Sequence, residues 1–102
     1  MLPKYLEEYQ QNLDWLEKTG FFKSKEDKDV WFKDFNTGLK LEVDFNRDED
    51  LYYTRPVGPD WLTYIFNVQY LERCSFTAEK AVEDCLKHLE DLLDKISNLL
   101  NR

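Results

Sequence analysis

Between Asp44 and Leu51 the chain reads D-F-N-R-D-E-D-L, with oxygen-bearing side chains at Asp44, Asn46, Asp48 and Asp50, every second residue. That spacing is how a calcium loop begins. Such a loop takes oxygen ligands at its first, third and fifth positions, glycine at the sixth and a bidentate acid at the twelfth. Counted from Asp44, the first three requirements are met by Asp44, Asn46 and Asp48. The sixth position is Glu49, which lacks glycine's freedom to turn sharply, and the twelfth is Arg55, a cation where the carboxylate belongs. The stretch therefore reads as an acidic turn, and no metal or other cofactor is expected.

The remaining chemistry is sparse. His88 is the only histidine and lies three residues from Cys85, near it on a helix. The helical repeat turns Cys85 inward, where a thiol behaves as a small hydrophobe. Asp84, four residues before His88, reads as its solvent-facing partner. A zinc site would have to draw on Cys74, Cys85 and His88 without paired C-x-x-C spacing. Gly20, Gly38 and Gly58 are isolated, so no glycine-rich loop cradles a phosphate. The expectation is a non-enzymatic protein.

What survives is a binding surface. Glu42, Asp44, Asp48, Glu49 and Asp50 put five acids in nine residues, opposed within that run by Arg47 alone. Tyr52 and Tyr53 follow on a Pro/Gly segment (Pro56, Gly58, Pro59) in which the prolines restrict the backbone. Tyrosine is enriched at binding hot spots, and a stiff loop loses less entropy on docking. These seven residues are the candidate partner-binding set: the acids as charge partners for Lys and Arg, the tyrosines as anchors.

The elements that must position them follow from periodicity. Leu2, Leu6, Tyr9, Leu13 and Leu16 recur at intervals of four and three, an amphipathic helix with Pro3 in its first turn and Gly20 as its stop. K-S-K-E-D-K-D (23–29) reads as a mixed-charge connector. Leu39, Leu41, Val43 and Phe45 then alternate with Lys40, Glu42 and Asp44, a strand with one buried face. V-W-F-K-D-F (30–35) should pair with it through Asn36-Thr37-Gly38. A three-residue loop with left-handed Gly38 sets Phe35 against Leu39 and Asp34 against Lys40. Residues 51–55 read as a short edge strand and 61–71 as a further strand, with a helix starting at Asp60 as the competing reading.

The last element is the plainest. Thr77 is an N-cap, and Ala78, Val82, Cys85, Leu89, Leu92, Ile96 and Leu99 repeat four and three, with Leu86, Leu93 and Leu100 in an adjacent row. The fold class is thus α+β. An antiparallel meander of three or four strands is flanked by an N-terminal and a long C-terminal helix, in the order α-β-β-(β)-β-α, as one domain over 1–102.

Bulk properties agree. A chain of 102 residues fits one core, and its 42% hydrophobic and 16% aromatic content is too rich for a disordered chain. Twenty-one acids against fourteen bases leave a net charge of −7, which repels phosphate and anionic membranes but suits a basic protein partner. No apolar window is long enough to span a membrane. Glu7 and Glu8 stand where a signal peptide's apolar core would lie, and the two cysteines read as reduced thiols. The expected location is cytoplasmic, in a bacterial or host-cell cytosol.

The element order resembles that of the double-stranded-RNA-binding domain, which grips phosphates with a lysine cluster opening its last helix. Here the matching stretch is T-A-E-K-A-V-E-D-C (77–85), with Lys80 alone among Glu79, Glu83 and Asp84. The sign is wrong, so direct nucleic-acid binding is not expected. Order and acidity together also resemble certain small phage-encoded anti-CRISPR proteins, some of which act as DNA mimics by presenting carboxylates where phosphates would sit. That resemblance carries over no individual residue. It implies an anti-CRISPR-like, anti-defence inhibitor docking on a basic, nucleic-acid-binding protein surface such as a nuclease. The alternative is a structural or assembly protein that forms a homodimer through residues 78–100.

Overall fold

The computed structural model describes residues 3–35, 38–58, 60 and 71–101. The first helix, α1 (Lys4–Lys18), opens on Pro3, whose carbonyl accepts the Leu6 and Glu7 amides at 3.0 and 3.1 Å. It ends as its glycine dictates. Gly20 adopts φ 94°, its amide reaches Glu17 O at 3.2 Å, and the Phe21 amide reaches Leu16 O at 2.9 Å. These paired bonds form a Schellman motif, with Leu16 and Phe21 buried as its apolar contact.

Five antiparallel strands follow in one sheet, ordered β1-β2-β3-β4-β5. They are β1 (Phe22–Lys23), β2 (Val30–Asp34), β3 (Lys40–Asn46), β4 (Leu51–Gly58) and β5 (Arg73–Ser75). The β2–β3 register sets Asp34 against Lys40. The Phe35 amide bonds Leu39 O at 2.8 Å and Gly38 takes φ 84°, as a three-residue loop requires.

The sheet departs from expectation in four places, the first being β5 itself, which falls at Arg73–Ser75, after the last stretch expected to be a strand. β1 adds a fifth strand where a connector begins, a two-residue pairing too short to leave a periodic signal. β4 runs on to Gly58 and lies between β3 and β5 instead of at the edge. Its Pro56 is tolerated because the pairing slips there. Leu41 faces Pro56, Lys40 faces Gly58, and Val57 bulges between them. The strand expected over 61–71 lies outside the described residues apart from Leu71, which is helical and buried.

The long helix, α2 (Ala78–Leu100), is capped by Thr77 Oγ1, which accepts the Lys80 amide at 3.2 Å. Asn12 Oδ1 accepts the Ala78 amide at 2.7 Å and ties the two helices together. The inner sheet face presents Trp31, Leu41, Val43, Tyr52, Thr54 and Pro56, and both helices contribute to the core over it. Along α2 the buried residues are Ala78, Ala81, Val82, Cys85 and Leu89. Leu92 still packs against the edge of the core, and beyond it the helix leaves the domain. The radius of gyration is 15.0 Å and the extents are 59 × 24 × 23 Å, against a radius of about 13 Å for a compact chain of this length.

Candidate protein-docking surface

The acidic turn is built by its own side chains. β3 ends at Asn46 and β4 starts at its partner Leu51, so Arg47 to Asp50 form a four-residue hairpin loop. Asn46 Oδ1 accepts the Asp48 and Glu49 amides at 3.0 and 3.1 Å, an Asx turn. Asn46 Nδ2 donates to Glu49 Oε1 at 2.8 Å, and the Tyr53 hydroxyl donates to the same oxygen at 2.8 Å. That bond raises the Tyr53 phenol above its ordinary value. Asp50 closes the loop in the left-handed region at φ 57°. Asn46 Oδ1 and Glu49 Oε1 are therefore occupied in holding the turn.

The cation within the acidic run is turned away from it. Arg47 makes a bidentate pair with Asp29, both contacts at 2.8 Å, and its guanidinium lies over the rings of Tyr9 and Phe45 at 5.7 and 5.9 Å. Asp48 and Asp50 are exposed and make no ion pair among the described residues.

Glu42 and Asp44 fare differently, because they stand on the outer sheet face. Glu42 is directly across from Arg55, which bonds it through Nη1 and bonds Glu72 through Nε at 2.6 Å. Asp44 Oδ2 lies 3.8 Å from the same guanidinium. Burial raises the Asp44 carboxyl above its ordinary value, with Arg55 pulling the other way. Three carboxylates thus share one arginine, and two of the five candidate acids are drawn into that cluster.

The tyrosines also separate. Tyr52 is a correction: it is 3% exposed, and its ring stacks on Phe45 at 4.7 Å between centroids. Burial pushes its phenol far above the ordinary value, and its hydroxyl finds no hydrogen-bond partner among the described residues. Neighbouring residues of a strand point to opposite faces, so Tyr52 and Tyr53 could not both be surface anchors. Tyr53 stays on the outer face. A further aromatic joins it at the turn end of the molecule. The pair Tyr52–Ser75 brings the chain to Phe76, which is 76% exposed. Phe76 fell between a short strand and a helix cap, outside either periodic pattern.

The other candidates carry little. Cys74 and Cys85 are both free thiols. Cys85 is buried, with its Sγ 3.5 Å from Leu71 O, and burial pushes it up to about 11. Asp84 bonds Lys80 at 3.1 Å, and His88 is lowered by burial and by Arg73. Among the described residues no group of three or more His, Cys, Asp or Glu side chains is arranged to hold a metal ion, and no helix is long and apolar enough to cross a membrane. No family model, curated protein or solved structure matches this chain, so its function has to be argued from the chemistry of this surface.

Proposed function

We propose that the chain is a non-enzymatic, acidic protein-binding module that docks through the 47–50 turn onto a basic protein surface. The observation that carries this reading is the turn's internal bracing. Asn46, Glu49 and Tyr53 fix its shape, and Asp29 takes up Arg47. Asp48 and Asp50 are left as exposed charges on a preorganised loop, flanked by Tyr53 and Phe76. Preorganised carboxylates lose little entropy on meeting Lys or Arg, and a groove built for phosphates attracts them. The most specific form is an inhibitor occupying the nucleic-acid-binding surface of a nuclease, in the manner of phage or mobile-element anti-defence proteins. Such a protein acts in the cytosol of the cell that holds its target.

The test is partner capture from the source cell with the native chain and with a D48K/D50K variant. Both positions are exposed, and lysine at the left-handed position 50 adds only about 1 kcal/mol of backbone strain, so circular dichroism should show an unchanged fold. The captured partner should be basic, should bind more weakly as salt rises, and should lose at least roughly tenfold in affinity to the variant. Equal affinity of the two proteins for the same partner would remove the acidic-turn reading.

A further inference from the structure

A second surface lies beyond the acidic turn, and nothing in it depends on the docking reading. The apolar stripe of α2 is covered by the domain itself from Ala78 to Leu89. Leu92 is half-buried where it edges the core, and from there the stripe continues uncovered: Leu93 is 44% exposed, Leu99 63% and Leu100 80%, with Ile96 half-buried beside them. Single exposed leucines are ordinary on a protein surface, but a contiguous row on a protruding helix marks an interaction site.

We propose that this segment, Leu92 to Leu100, pairs antiparallel with the same segment of a second copy about a twofold axis at Ile96. The five apolar residues form a palindrome. Leu93 and Leu99 stand three residues either side of Ile96, and Leu92 and Leu100 stand four. An isologous contact demands this, since every residue pair must occur twice with the copies exchanged. Leu93 then meets Leu99 of the other copy, Leu92 meets Leu100, and Ile96 meets itself.

The polar flanks select the antiparallel orientation. Acids precede Ile96, at Asp91 and Asp94, and amides follow it, at Asn98 and Asn101, while Lys95 has neutral Ser97 as its mirror position. Antiparallel pairing sets Asp94 against Asn98 and Asp91 against Asn101. Parallel pairing would set each aspartate against its own copy, which like-charge repulsion disfavours in two chains of net charge −7. The interface differs from a seam along all of residues 78–100, because the first half of that stripe is spent on the monomer's own core. Nine residues span only about 12 Å, so the contact falls at the small end of protein interfaces and gives a weak dimer.

Sedimentation velocity between roughly 10 µM and 1 mM, a range that brackets a small interface, should show a monomer moving to a dimer. L99E/L100E changes only exposed positions and should leave a folded monomer throughout. N98K sets a lysine against Asp94 twice per dimer and should tighten association about two- to thirtyfold, whereas N98D should weaken it. In a C74S background, I96C should form a disulfide-linked dimer under mild oxidation. The proposal is overturned if native and N98K proteins both remain monomeric at the highest concentration, or if a dimer persists in L99E/L100E. Neither outcome depends on the acids at Asp48 and Asp50.

Discussion

Glu42 and Asp44 lie on one side of Asn46, Asp48 and Asp50 on the other, and the two pairs live under different electrostatics. On β3, strand pairing brings Arg55 directly across from Glu42 and within 3.8 Å of Asp44, and Glu72 approaches from the chain before β5. In the turn no cation among the described residues is brought in, and the one at hand, Arg47, is held by Asp29. The difference teaches that charge density along a strand is set by the register, whereas charge density in a turn is set by the turn's own hydrogen bonds. A run of acids becomes a docking surface only where the fold supplies no neutralising partner.

The largest effect should come from removing the partner on the strand side. Arg55, Glu42 and Glu72 have side chains 25%, 19% and 26% exposed, so water screens them only in part. Arg55→Ala leaves Glu42, Glu72 and Asp44 facing one another on one face, and should cost about 1–3 kcal/mol in urea unfolding. Adding E42Q and E72Q should recover most of that loss. A silent R55A would mean that Glu42 and Asp44 are as free as the turn acids, and the contrast would collapse.

Asp44 provides a subtler comparison through pH. Its folded carboxyl titrates above the unfolded 3.8, mainly because burial disfavours the charge. The group therefore opposes folding at neutral pH, and this opposition disappears as pH falls through the folded value toward 3.8. Asp44→Asn should raise the urea midpoint at neutral pH and leave it unchanged near pH 3, where the aspartate is itself neutral. A lowered midpoint at neutral pH would mean that attraction to Arg55 outweighs burial.

The parts legible in the sequence are those with a long period or a strict local rule. The 39–45 alternation, the left-handed Gly38 and the Gly20 stop each report a local conformation, and α2 repeats its stripe long enough to be unmistakable. β1 and β5, with two and three residues, are too short for a period and exist only because a neighbouring strand offers them bonds. The division of the acids was hidden for another reason. Arg55 is thirteen residues from Glu42, and only the four-residue turn between them sets the register that joins the two. The burial of Tyr52 was within reach, because it adjoins Tyr53 in a strand and alternation allows one outward ring. Phe76 belongs to no repeat, and only its place in the fold reveals it.

The smallest effect should be the most discriminating, because it separates the turn's shape from its charge. Asp50 holds φ 57°, a conformation that costs most side chains about 1–2 kcal/mol and that asparagine tolerates best after glycine. Asp50→Asn keeps the size and the backbone preference and removes one charge, so the fold should be unchanged or firmer by up to about 0.5 kcal/mol. If the turn acts through its carboxylates, affinity for the basic partner should nonetheless fall, mainly through slower and more salt-insensitive association. Stability and binding would then move in opposite directions from a change of a single heavy atom. Should D50N bind as the native chain does while D48K/D50K does not, D48N decides the rest: a loss places the docking charge on Asp48, and no loss means that the lysines act by repulsion.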